Sequence, residues 1–202
     1  MESREDTRTN IESYRSRSSS IGFFFLCFIF LGMVVESLYS GGLRNITMTT
    51  CWSSALVVVF HAIMHKPKVI VFDQGIEIIN PLSRHTIPWS DVRLIDTRFS
   101  LAILTHNGDR IHAWAAPAPG RYHSRRLHSS DLRGLDMAKG GHIKAGESPK
   151  SESGAAYLLV AQRFEEFKTG KIVTGAIAYR EFTRQWSAIA VVMIAIALLI
   201  AL

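Results

Sequence analysis

Three stretches of the chain are almost free of charge: IGFFFLCFIFLGMVV (21–35), MTTCWSSALVVVFHAIM (48–64) and WSAIAVVMIAIALLIAL (186–202). A helix rises about 1.5 Å per residue and a bilayer's hydrocarbon core is about 30 Å thick, so roughly 20 residues make a span. The first run reaches that length from Ser18 to Tyr39 if Glu36 extends to the interface, the second begins near Met48, and Trp52 and Trp186 stand at segment ends, where indole rings prefer the headgroup layer. A buried helical hairpin in a soluble core is the alternative for the first two runs. The third has no polar side chain beyond Trp186 and Ser187, and a soluble fold of this size has no core that hides all three.

From Lys68 the pattern changes to short β-branched runs divided by turn residues, which predicts an antiparallel sheet. KVIVF (68–72) and IEIIN (76–80) are joined through Asp73, Gln74 and Gly75, where the glycine is expected to supply a positive φ. Asn80-Pro81 opens the next turn, RHTIP (84–88) alternates, and Trp89 to Val92 forms a corner before RLIDTRF (93–99) and LAILT (101–105). Asn107-Gly108 predicts a type I′ hairpin leading into RIHAW (110–114). Six strands without an intervening helix exclude a doubly wound α/β layout.

Residues 121–154 are rich in Ser, His, Gly, Arg and Lys and short of core-forming side chains, and they read as a flexible insertion. Helical periodicity returns at 155–168, with Ala156, Leu159, Val160, Phe164 and Phe167 on one face and Ser153 as the expected cap. The sheet has an apolar face that needs cover, and this helix has a stripe that needs burial.

The order of these elements, with GIEIINPLSRHTIPWSDV in the middle and HAWAAPAPGR after the last hairpin, resembles the small bacterial pleckstrin-homology-like (PH-like) domains of actinobacterial membrane proteins. The resemblance covers roughly residues 21–120 and rests on two membrane helices, the Asn80-Pro81-Leu82 turn, the Pro88-Trp89 corner and the Trp-Ala-Pro run at 114–119. Helix 155–168 matches less closely, and the resemblance does not extend to the third apolar run or the 121–154 insertion. It implies a half-open, barrel-like sheet capped by a helix, acting as an interaction scaffold with no catalytic residues. The expected fold class is therefore membrane α plus α+β. Residues 1–20 are a cytoplasmic tail, 21–65 a two-helix transmembrane hairpin, 68–168 a PH-like domain carrying the insertion, and 186–202 a third transmembrane helix.

Charge orients this plan. Arg4, Arg8, Arg15 and Arg17 precede the first span, Arg44 alone lies between the first two, Lys66 and Lys68 follow the second, and Arg180 and Arg184 precede the third. The positive-inside rule then places the tail and the PH-like domain in the cytoplasm of a multi-pass plasma-membrane protein. A cleaved signal peptide over 1–40 is the competing reading, but Glu2, Glu5, Asp6 and Glu12 sit in the tail and no small-residue cleavage site follows. The net charge of +6 comes from residues scattered over tails and loops, without the aromatic-interleaved stripe of a nucleic-acid binder.

Candidate chemistry is sparse. Cys27 lies in mid-segment and Cys51 at a segment end, a depth mismatch that argues against a disulfide. His61 and His65 are one helical turn apart and could share a metal, but no carboxylate stands near them, and interfacial histidines are expected. Phosphate loops, nucleophile elbows and paired intramembrane carboxylates are missing, so neither catalysis nor a cofactor is expected. Asp91 and Asp96 read as turn formers, and Glu36 as an interfacial residue rather than a proton relay. Trp89 and Trp114 are expected to fill the core between sheet and helix rather than line a ligand cleft. In the insertion Arg121, Arg125, Arg126 and Arg133 are candidates for contact with anionic lipid headgroups. Two functions follow: a non-enzymatic, membrane-tethered scaffold for an unidentified protein partner, or an accessory subunit of a transporter or envelope enzyme whose small residues, such as Gly22, Gly32 and Ala190, permit close helix packing.

Overall fold

The computed structural model describes residues 9–117, 151–172 and 180–183. The described residues of 17–67 form one compact unit, and those of 9–16 and 68–182 form another. The expected third span, 186–202, and most of the expected insertion, 118–150, lie outside the described residues.

The first unit is a helical hairpin. Helix α1 (Arg17–Ser40) and helix α2 (Leu43–Phe60) meet at Gly41-Gly42, and α2 continues through a π-helical turn, His61–His65. The π turn is closed by the Lys66 N–H donating to the His61 carbonyl at 3.0 Å. Both helices are long and apolar enough to cross a membrane, and in each only 11% of the apolar window is buried. Phe25, Phe28 and Leu31 point outward, with Phe28 73% exposed, while the small polar Ser37 and Ser53 are buried. That inverts the rule for a soluble helix, whose apolar stripe is the part it hides. Hydroxyls on the exposed surface are satisfied within the helix: Thr47 donates to the Leu43 carbonyl at 2.9 Å and Ser54 to the Thr50 carbonyl at 2.8 Å.

The second unit has two antiparallel sheets. Strands β1 (Glu12–Tyr14), β2 (Lys68–Phe72), β3 (Gly75–Ile79), β4 (Ser83–Pro88) and β8 (Arg180–Thr183) form one, in the order β1-β2-β3-β4-β8. Strands β5 (Val92–Asp96), β6 (Ser100–Thr105) and β7 (Arg110–Pro117) form the other. Helix α3 (Glu152–Lys168) closes the core, placing Ala156, Val160 and Phe164 among Val71, Ile78, Ile103 and Ile111. The six expected strands are present, and the Trp89 corner is a short 3-10 turn, Trp89–Asp91.

Several expectations are corrected. The stretch read as tail contributes β1, because Glu12, Ser13 and Tyr14 pair with Val71, Ile70 and Val69 at the edge of β2. α3 starts at Glu152, inside the stretch assigned to the insertion. Its cap is Ser151, whose Oγ accepts the Gly154 N–H at 2.9 Å, and Ser153 is buried within the first turn.

Gly75 has no positive φ. It is needed because a Cβ there would run into the Ile87 carbonyl of the neighbouring strand. The 105–109 turn is not type I′ either, since Asn107 keeps a negative φ and only Gly108, at 92°, is left-handed. The Gly108 N–H returns to Thr105 O at 3.1 Å and the Thr105 N–H reaches Asp109 O at 2.9 Å, a three-residue loop with a glycine bulge.

All five residues of β3 are buried. Ile76 and Ile78 face the shared core. On the other face Glu77 is fully buried in register with Ile70, close to the second apolar cluster of Ile70, Phe72 and Ile79, and pairs with Arg84. A buried carboxylate is tolerable only with such a partner.

Candidate functional site

The outward face of the three-stranded sheet carries two strongly exposed apolar side chains, Leu94 and Trp114. Cross-strand pairing puts Leu94, Leu104 and Arg110 in one row and Asp96, Ala102 and His112 in the next. Leu94, Asp96, Ala102, Leu104 and Arg110 line a shallow depression, across which Arg110 pairs with Asp96. The inward side chains of the same strands, Leu101, Ile103, Ile111 and Ala113, belong to the core that α3 closes, so the face looks away from that helix.

Trp114 stands on this face, 60% exposed. The expectation that it fills the core is therefore wrong. An irregularity in the β6–β7 register between Ser100 and Ala102 lets Ala115 and Ala116 both turn inward, while His112 and Trp114 remain outside. Asn80 braces the segment from the β3–β4 turn. Its side-chain N–H donates to the His112 carbonyl at 2.8 Å, and its Oδ1 accepts the Trp114 N–H at 2.9 Å, the two bonds a neighbouring strand would make. Leu82, in the same turn, is exposed.

Phe99, in the β5–β6 turn, is 70% exposed, with the Arg98 guanidinium 5.3 Å from its ring centroid. Asp96 Oδ1 accepts the Arg98 N–H at 3.2 Å, so Asp96 does form a turn and also holds Arg110. Arg93 is exposed on β5.

Trp89 does fill the core. It is fully buried, its indole N–H donates to the Phe72 carbonyl at 3.1 Å, and its ring lies 5.9 Å from that of Phe164. Arg121, Arg125, Arg126 and Arg133 lie outside the described residues. The rings of His61 and His65 lie 5.4 Å apart at a tilt of 37°, against Phe23 and Phe24. Among the described residues no group of three His, Cys, Asp or Glu side chains could hold a metal. Cys27 and Cys51 are both free thiols, and Glu36 accepts a hydrogen bond from Ser40 Oγ at 2.7 Å.

One contact looks like catalytic machinery. Ser100 Oγ lies 2.9 Å from His112 Nδ1, but both groups are open to solvent, and Asp96 in the same row is engaged by Arg110 instead of orienting the ring. The contact is a cross-strand polar pair.

Sequence reasoning missed a second cluster. Arg163 of α3 reaches Glu12 of β1 at 2.9 Å, Asp73 of the β2–β3 turn at 3.3 Å and Glu166 at 3.3 Å. Thr9 and Asn10 donate to the other oxygen of Asp73 at 2.8 and 2.9 Å. Nothing local marks Arg163, which sits beside the apolar stripe like any flanking cation.

No family model, no curated protein and no solved structure matches this chain.

Proposed function

We propose that the chain is a non-enzymatic, membrane-tethered interaction module: the α1–α2 hairpin crosses the bilayer twice and holds a PH-like sheet unit at the cytoplasmic surface, where it presents its exposed face to a partner. The observation that carries this reading is the pairing of β1 with β2. Those strands flank the hairpin in the chain, with only Arg15-Ser16 before α1 and Lys66-Pro67 after the π turn. Strands that are hydrogen-bonded to each other lie on one side of a membrane, so the segment between them crosses an even number of times.

The exposed apolar surface of α1 and α2 supports lipid as the solvent, because a patch of that size is not stable in water. Exposed Arg15 and Arg17 before the hairpin, with Lys66 and Lys68 after it, against Arg44 alone in the first turn of α2 beside the connecting glycines, favour the cytoplasm for the sheet unit. Tethering raises the unit's effective concentration at the membrane, so a weak surface site suffices there.

Two measurements test the reading together. The chain should stay with membranes through alkaline carbonate extraction and leave only with detergent. A thiol-reactive probe that cannot cross membranes should label a cysteine placed at Asn107 only after the cells are opened. Extraction by carbonate, or labelling of intact cells, would overturn it.

A further inference from the structure

The exposed face of the β5-β6-β7 sheet combines side chains that are individually costly in water with unneutralised cations. Trp114, Phe99 and Leu82 are exposed at the end where Ser100 pairs with Pro117, around the Asn80 brace and the β5–β6 turn. Arg98 is exposed there and Arg93 toward the other end of β5, next to the Leu94–Leu104 row, both without a salt-bridge partner among the described residues, whereas Arg110 is held by Asp96.

Charge is distributed unequally over the unit. Around α3 lie Glu12, Asp73, Glu165 and Glu166, with Arg163 and Lys168 consumed in ion pairs among them. The basic face looks away from that acidic side, because its strands turn their apolar side chains toward α3. A unit polarised in this way meets a negatively charged plane with its cationic face and is repelled from it by the other.

Aromatic rings with a polar edge or a stacked guanidinium are suited to the headgroup layer, where one part stays wet and the other leaves water. Arg93 and Arg98 supply donors for phosphate oxygens. Resting on the membrane-tether reading above, we infer that this face docks on the anionic phospholipid headgroups of the bilayer that the hairpin occupies, with Trp114 and Phe99 entering the interfacial layer and Arg93 and Arg98 pairing with phosphate. The site differs from the 121–133 arginines that the sequence suggested, and the protein-binding surface is then available only when the unit lifts from the lipid.

The test uses the full chain in lipid nanodiscs, one set of phosphatidylcholine alone and one with a third of phosphatidylglycerol, each doped with a lipid spin-labelled at its headgroup. The fluorescence that Trp114→Phe removes isolates Trp114 from the other indoles. That component should be quenched roughly twofold more in anionic discs than in neutral ones and should lose the excess in high salt, which screens exposed charges. The double reversal Arg93→Glu with Arg98→Glu should abolish the excess while leaving thermal unfolding unchanged.

Failure of the chain to incorporate into discs would sink the tether itself. Incorporation with Trp114 unquenched in both sets would overturn the docking alone, as it would if a neighbouring protein covered the face. Equal quenching in both sets would also overturn it, because headgroup charge would then play no part.

Discussion

Arg163 on α3 and Asp73 in the β2–β3 turn are 90 positions apart in sequence and meet at 3.3 Å. The same guanidinium holds Glu12, so one side chain, itself 15% exposed, fastens the first strand to the helix that closes the core. β1 has only three paired residues, and most of its side chains are exposed. Of its side chains only Tyr14 packs against the core, with Ser16 just beyond it donating to Glu152 at 2.7 Å.

Arg163→Ala should therefore release β1 before anything else. Charge-assisted hydrogen bonds of this kind contribute about 1–3 kcal/mol, and the low end applies because Glu12 is half in water. Hydrogen exchange should show the amides of 12–14 losing protection while those of β3 keep theirs. Uniform loss across the sheet would show that β1 is not independently latched.

Trp89→Ala should be among the most damaging single changes, at about 3–5 kcal/mol, because it empties a fully buried site against Phe164. Trp89→Phe restores most of the volume but leaves the Phe72 carbonyl without its indole donor, and about 1–3 kcal/mol is expected from that alone. Thermal unfolding in detergent should rank wild type above Trp89→Phe and Trp89→Phe above Trp89→Ala.

Two glycines should fail for different reasons. Gly75→Ala places a methyl group against the Ile87 carbonyl between strands that cannot separate, at about 1–3 kcal/mol. Gly108→Ala meets no atom within 4 Å but must hold a φ of 92°, at roughly 1–2 kcal/mol. Asparagine tolerates the left-handed region, so Gly108→Asn should recover much of the loss, whereas Gly75→Asn should be worse than Gly75→Ala. Chemical denaturation of the four variants separates close approach from backbone strain.

The local signals in the chain were legible where one element determines the outcome. The apolar runs at 21–35 and 48–64 became α1 and α2, and alternation with turn residues placed six strands to within two or three residues. The stripe from Ala156 to Phe167 packs as its periodicity implied.

What was illegible depends on partners distant in sequence. Glu12-Ser13-Tyr14 carries no strand signal of its own and is extended because β2 offers an edge. Arg163 and Asn80 look ordinary until Asp73 and the His112 and Trp114 backbone are brought to them. Trp114 is exposed in step with Arg110 and His112 while Ile111 and Ala113 face inward, so its orientation follows the alternation of its strand and only the break at Ala115-Ala116 needed the partner strand to be seen. Glu77 reads as the polar side of a half-exposed strand, yet both faces of β3 are covered.

The candidate surface makes a last prediction about what its residues are for. Asn80 serves the fold: its amide donates to one β7 carbonyl and accepts from one β7 amide, so Asn80→Ala should lower stability by about 1–2 kcal/mol. Asn80→Asp keeps the acceptor for the Trp114 N–H but sets a carboxylate against the His112 carbonyl, and should be no better than alanine. Leu82→Ser and Trp114→Ser remove exposed side chains and should stay within about 0.5 kcal/mol of wild type. Denaturant midpoints that fall for the Asn80 variants and hold for Leu82→Ser and Trp114→Ser would mean that folding does not require the exposed apolar groups, leaving recognition as the reason for them. A fall of 2 kcal/mol or so on Trp114→Ser would instead make the indole part of the packing.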